Sequence, residues 1–136
     1  MATKRIGLRP NRKGLYSRSI GWKPAGDEIV THTFYLGRDE SAAKLANLRL
    51  EKLWEQVQAT WAETRRGDRP VWDRHTFQIA QAIARGKNEV ALECPPEFEG
   101  RPFDYDWWIK EIARRYDVIR VIPADTDLGP KVAEEK

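Results

Sequence analysis

Residues 14–36 alternate in a way that predicts two strands. Tyr16, Arg18, Ile20 and Trp22 share one face of the first, and Leu15, Ser17 and Ser19 share the other. Lys23-Pro24-Ala25-Gly26-Asp27 supplies Pro and Gly where the chain must reverse. Glu28 to Leu36 reads as the return strand, rich in β-branched and aromatic residues. Val30, His32, Phe34 and Leu36 fall on one face, Ile29, Thr31, Thr33 and Tyr35 on the other. After Gly37 the period changes from two to 3.6. Asp39 is placed to cap a helix running to about Thr64. Its apolar stripe is Ala46, Leu50, Leu53, Val57 and Trp61, widened by Leu45, Leu48 and Trp54, and Arg65 and Arg66 suit its negative end. A lone hairpin is marginal in water, so this helix is expected to cover one of its faces.

Arg65-Arg66-Gly67-Asp68-Arg69-Pro70 reads as a linker. Beyond it, Asp73 caps a helix through Phe77, Ile79, Ala80 and Ile83 that Gly86 stops. Glu89 to Glu93 predicts a short strand, Cys94 to Arg101 a loop, and Asp104 the cap of a third helix with Trp108, Ile109, Ile112 and Tyr116 on one side. Val118 to Ile122 predicts a last strand, so that two strands and the helix between them form a small βαβ unit. Trp107 and Trp108 cannot both face inward on one helix. The expected class is α+β: a flexible basic arm (1–13), a hairpin-plus-helix module (14–66), an α/β second half (67–122) and a frayed tail (123–136).

Composition sharpens this picture at one end. Residues 1–26 contain seven basic side chains, Lys4, Arg5, Arg9, Arg12, Lys13, Arg18 and Lys23, and no acidic one. The other 110 residues carry 17 basic and 21 acidic groups, so the positive excess is concentrated beside the hairpin. Such a pole is the footprint of a phosphate-backbone binder. The alternative is a solvated basic terminus that only aids solubility. Six tryptophans and 40% hydrophobic residues argue for a folded core. The single cysteine, Cys94, excludes an internal disulfide and fits a reducing compartment. No apolar run approaches the ~18 residues of a membrane span, and no signal peptide is recognised. The expected setting is cytoplasmic, without membrane association.

The chemistry missing from the sequence narrows the function further. Two histidines, His32 and His75, and one cysteine are too few for a Cys/His zinc site. There is no Gly-rich phosphate loop and no Gly-x-Ser-x-Gly elbow. Cys94 and His75 are the sole thiol–imidazole combination, and Cys94, before two prolines at a strand end, reads as a small, partly buried side chain. Glu93, Glu97, Glu99, Asp104 and Asp106 read as a solvated acidic loop rather than a metal site. No cofactor and no metal is expected, and an enzyme is the least expected class.

Phe34-Tyr35-Leu36-Gly37-Arg38-Asp39, followed by Ala42 and Ala43 and preceded by a basic strand, resembles the N-terminal arm-binding, AP2-like module of tyrosine recombinases (phage-type integrases). The resemblance covers about residues 14–57. It implies a small antiparallel sheet backed by a helix, with the open face of the sheet on DNA. It makes Arg18, on the first strand, and Arg38, after the second, candidate DNA contacts. The recombinase catalytic domain with its tyrosine nucleophile is not in this chain, and no motif of that family is matched in residues 71–122. The implied role is DNA binding without cleavage.

The candidate nucleic-acid-binding residues are therefore Lys4, Arg5, Arg9, Arg12 and Lys13 on the arm, Tyr16, Arg18 and Lys23 on the first strand and its turn, and Arg38. The arm would track phosphates, and Tyr16 and Trp22 would stack on sugars or bases. If the Tyr16/Ile20/Trp22 face is instead the core side, Arg18 must snorkel to the edge. The reading face is then Ser17, Ser19, Thr31, Thr33 and Tyr35, small enough for close approach to a duplex. Two other classes compete. One is a protein-interaction module using the basic arm or the Trp107/Trp108 region. The other is RNA binding, with aromatics stacked on unpaired bases.

Overall fold

The structure, a computed structural model, describes residues 8–65, 67–95, 98 and 103–124. Seven elements follow in order: β1 (Tyr16–Ala25), β2 (Glu28–Gly37), α1 (Glu40–Thr64), α2 (Arg74–Ala84), β3 (Glu89–Leu92), α3 (Tyr105–Arg115) and β4 (Arg120–Pro123). β1 and β2 form an antiparallel hairpin, and β3 and β4 a parallel pair joined through α3. The class is α+β, and the hairpin, the long helix and the βαβ unit stand where the hydrophobic periods place them.

Local chemistry sets the boundaries. Asp39 accepts a hydrogen bond from the Ala42 amide at 2.8 Å, satisfying a free donor at the start of α1. The helix ends at Arg65, which takes a left-handed conformation (φ 53°) and donates its amide to the Trp61 carbonyl. At α2, the Thr76 hydroxyl turns back to accept from the Asp73 amide at 2.7 Å. Asp104 accepts from the Trp107 amide at 3.0 Å to start α3.

Among the described residues one buried cluster joins the hairpin, α1 and the second half. Tyr16, Ile20, Phe34 and Leu36 of the hairpin lie on Ala43, Ala46, Leu50, Leu53 and Val57 of α1. Trp72 joins both to α2, with its ring near Phe34 (5.7 Å between centroids) and Trp54 (5.0 Å). Ile79, Ile83, Leu92, Ile109, Ile112 and Val121 extend the cluster into the second half. Polar braces run alongside it. Arg49 of α1 donates to the Val118 carbonyl from both Nε (3.1 Å) and Nη2 (2.8 Å). Gln56 donates to Asp117 at 2.6 Å, a bond that holds this carboxyl below its usual range.

Two expectations need correction. Leu45 and Leu48 do not widen the core stripe of α1; they are 56% and 61% exposed. The hairpin and the second half cover α1 from two sides and leave that third side bare. The arm is not free throughout either. Asn11 Oδ1 accepts from the amides of Lys13 (2.8 Å) and Leu15 (3.0 Å), making a turn, and Leu8 packs on the core. Residues 1–7 and 125–136, and with them Lys4, Arg5 and most of the expected tail, lie outside the described residues.

Candidate nucleic-acid interface

The hairpin has one buried face and one bare face, and a β-bulge decides which residues lie on each. The strands pair Ser19 with Thr33 and then Trp22 with Thr31, so β1 carries one extra residue between these pairs. Gly21 sits in the bulge with φ 79°, a conformation that favours glycine. A Cβ there would lie 2.3 Å from the indole nitrogen of Trp72. That nitrogen donates to the Ile20 carbonyl at 3.1 Å, and the Trp72 amide donates to the Trp22 carbonyl at 2.8 Å. The segment before α2 is thus fastened to the bulge.

The bulge reverses the alternation of β1. Before it, Tyr16, Arg18 and Ile20 face α1. Beyond it, Lys23 pairs with Val30, on the His32/Phe34 side of β2, and its ammonium lies 4.6 Å from the centre of the Phe77 ring. Trp22 leaves the alternation it was expected to share with Ile20. It packs edge-on against Trp54, at 5.8 Å between centroids, under the Arg69 guanidinium.

All three candidate contacts on β1, Tyr16, Arg18 and Lys23, have partners inside the protein. Tyr16 is buried in the core, on the side of the hairpin that faces α1. Arg18 donates through Nη1 to Asn47 Oδ1 (2.7 Å) and Glu51 Oε2 (2.6 Å) on α1. The snorkelling geometry is the one found, and its end point is an ion pair rather than solvent. His32 lies between the rings of Phe34 and Phe77. Burial and the nearby Lys23 charge push its pKa below the usual imidazole value.

The other face presents Ser17, Ser19, Ile29, Thr31, Thr33 and Tyr35, with Pro24 paired opposite Ile29 and Trp22 opposite Thr31; Tyr35 is 62% exposed, and Ser17 and Thr33 are half-buried. None of the six is charged. Ser19 Oγ and Thr33 Oγ1 share a hydrogen bond of 2.6 Å across the strands. Positive charge lies at the open end of the hairpin. Arg38 Nε donates to the Lys13 carbonyl at 3.1 Å, which brings together two candidates 25 residues apart. Arg12, on this turn, and Arg9, just before it, are exposed. Asp27 and Glu28 stand at the opposite, turn end, close to Lys23, and at the open end Asp39 and Glu40 follow Arg38 directly.

A second feature is a cleft of about 640 Å³ between the C-terminal end of α1, the start of α2 and α3. Trp61, Trp107, Trp108 and Tyr116 line it together with His75 and Arg115. Tyr116 is buried there, and burial raises the pKa of its hydroxyl. Trp107, 58% exposed, stands at the cleft as the outward member of the Trp107–Trp108 pair. The sequence pattern marked Trp107 and Trp108 as a pair but gave no sign that Trp61 joins them, because it lies on an element more than 40 residues away. Among the described residues no three His, Cys, Asp or Glu side chains converge as a metal site requires. No helix among the described residues is long and apolar enough to cross a membrane.

Comparison with family models, with curated proteins and with solved structures finds no match.

Proposed function

We propose that this protein is a non-catalytic DNA-binding module that lays the bare face of the β1–β2 hairpin on duplex DNA. The observation that carries this reading is the pairing of an uncharged sheet face with the Lys13/Arg38 cluster at its open end. A two-stranded ribbon has the dimensions of the major groove. Basic groups at one end of it meet the phosphates that flank the groove. Arg9, Arg12, Lys13 and Arg38 serve as phosphate contacts, with Lys4 and Arg5 adding to them from the N-terminal stretch. Arg18 and Tyr16 support the hairpin from behind. The integrase-like resemblance of residues 14–57 points the same way, and on this reading the module serves DNA recombination.

The test is fluorescence anisotropy of labelled duplex and single-stranded DNA across a salt series. Neutralising about five phosphates gives a log–log slope of about −4 to −5 for the duplex, and Arg38→Ala lowers its magnitude by about one. Absence of binding to either DNA at low salt overturns the reading. A second reading, protein capture through the cleft, is favoured by the exposure of Trp107. Loss of partner capture in Trp107→Ala, with the DNA assay silent, would decide for it.

A further inference from the structure

We infer that the cleft between α1, α2 and α3 is a nucleotide site, and that it takes a guanine nucleotide, with the base stacked on tryptophan rings and the phosphate on Arg74. The site contains no residue of the hairpin and does not depend on what the hairpin binds.

The tryptophans of the molecule fall into two groups. Trp22, Trp54 and Trp72 pack ring on ring beside the hairpin, and Trp108 packs on His75, Phe103 and Tyr105. Trp61 and Trp107 meet no other aromatic ring among the described residues, and both line the cleft, one from α1 and one from α3. The Arg65 guanidinium lies 4.8 Å from the centre of the Trp61 ring, and the indole nitrogen of Trp61 donates to the Gly67 carbonyl at 3.2 Å. One face of that ring is thus covered, its tilt is fixed, and its other face is left for a ligand. Trp107 is 58% exposed. A flat ligand ring that stacks on such indoles takes apolar surface out of water without disturbing the core. At about 640 Å³ the cleft has the size of a small-molecule site.

The charges at the cleft divide in the same way. Arg115 is paired with Glu63 (3.2 Å) and Glu111 (3.9 Å), Asp73 stands 3.9 Å from His75, and Arg69 lies over the Trp22 ring. Arg74 and Glu93 also line the cleft, and neither has an ion-pair or hydrogen-bond partner among the described residues. A free guanidinium suits a phosphate, which it meets with two parallel N–H donors. A free carboxylate accepts only, so it suits a base edge that donates. Guanine sets two donors, N1–H and the N2 amino group, side by side on that edge. Adenine and cytosine place an acceptor next to their amino group, and uracil flanks its N–H with two carbonyls, so each of these sets an acceptor against the carboxylate. Free ring faces, a free cation and a free carboxylate at one cleft thus match the base, the phosphate and the donor edge of a guanine nucleotide.

The experiment titrates the full chain with guanosine monophosphate, guanosine and inosine monophosphate, and follows the tryptophan indole N–H signals by two-dimensional NMR. The first two ligands differ only by the phosphate; the first and third differ only by the N2 amino group. The signals of Trp61 and Trp107 are expected to shift while those of Trp54 and Trp72 stay in place. Guanosine monophosphate is expected to bind about three- to tenfold tighter than guanosine and about tenfold tighter than inosine monophosphate. Trp107→Ala is expected to weaken its binding about ten- to hundredfold. Arg74→Ala removes the preference over guanosine, and Glu93→Ala removes the preference over inosine monophosphate. All three side chains are exposed, and unmoved Trp54 and Trp72 signals check that each variant is folded. The single strand d(TTGTT) separates the two sources of the ligand: tighter binding than the free nucleotide assigns the site to a guanine within a strand, and equal or weaker binding assigns it to the free nucleotide. Unmoved Trp61 and Trp107 signals with every ligand at millimolar concentration overturn the inference and leave the cleft to a protein partner. Equal binding of guanosine monophosphate, guanosine and inosine monophosphate also overturns it. Neither result changes the outcome of the duplex assay, so the hairpin reading stands or falls separately.

Discussion

Arg18 shows how far a single side chain departs from what its neighbours in the sequence suggest. It lies on a basic strand, yet its guanidinium is held by Asn47 and Glu51. Arg18→Ala is therefore expected to act on stability. Removing a charge-assisted pair that is about one-third exposed costs about 1–2 kcal/mol, measurable as a lower midpoint in urea. The DNA salt slope should be unchanged, in contrast to Arg38→Ala. His32 carries a second residue-scale consequence. Its folded pKa is depressed by burial and by Lys23, so between the folded and unfolded values the unfolded chain binds more protons. Stability is thus full above the unfolded value, about pH 6.5, and falls as the pH drops from there through the folded pKa. Unfolding free energies measured from pH 7.5 down to 5 should show that slope, and His32→Gln should flatten it.

At the scale of elements, the bulge of β1 decides how the hairpin is used. The extra residue at Gly21 turns Lys23 inward and seats the β-ribbon on Trp72. Gly21→Ala combines a side chain at positive φ with a clash against a ring that is 3% exposed and hydrogen-bonded to Ile20. The ring cannot withdraw without breaking that bond. A loss of about 2–5 kcal/mol is expected from backbone strain and overpacking together. Thermal unfolding followed through tryptophan fluorescence checks it, because Trp22, Trp54 and Trp72 all lie around the bulge. A change below about 0.5 kcal/mol would show that the bulge is not fastened in this way.

For the whole molecule, the second half braces α1, and α1 in turn braces the hairpin. Arg49 is the principal polar link, since its guanidinium satisfies the Val118 carbonyl in the turn before β4 and reaches the Lys87 carbonyl at 3.4 Å. Arg49→Met retains most of the aliphatic packing and leaves the part-buried Val118 carbonyl without this donor. The expected cost is about 1–3 kcal/mol. Amide hydrogen exchange should rise first in β3, β4 and α3, ahead of the hairpin. Uniform loss of protection across the molecule would instead mean that the two halves open only together. The cleft with Trp61, Trp107 and Trp108 belongs to this scale as well, because it exists only where α1, α2 and α3 meet.

The elements were legible in the order of residues. The change of period at Gly37, the caps Asp39, Asp73 and Asp104, and the short apolar runs around α3 are local signals, and the physics that reads them is local too: side-chain direction along one strand or helix, and free amides at one helix end. That order also showed that the positive charge is concentrated near the hairpin. Tertiary structure alone decided which of those charges face outward. Glu51 and Phe77 lie tens of residues from Arg18 and Lys23, and no period along the chain encodes those meetings. It likewise exposed Leu45 and Leu48, because the breadth of a helix's buried stripe depends on how many neighbours cover it. The bulge links the two levels: a glycine visible in the sequence, whose effect on the register of β1 follows only from Trp72 packed against it.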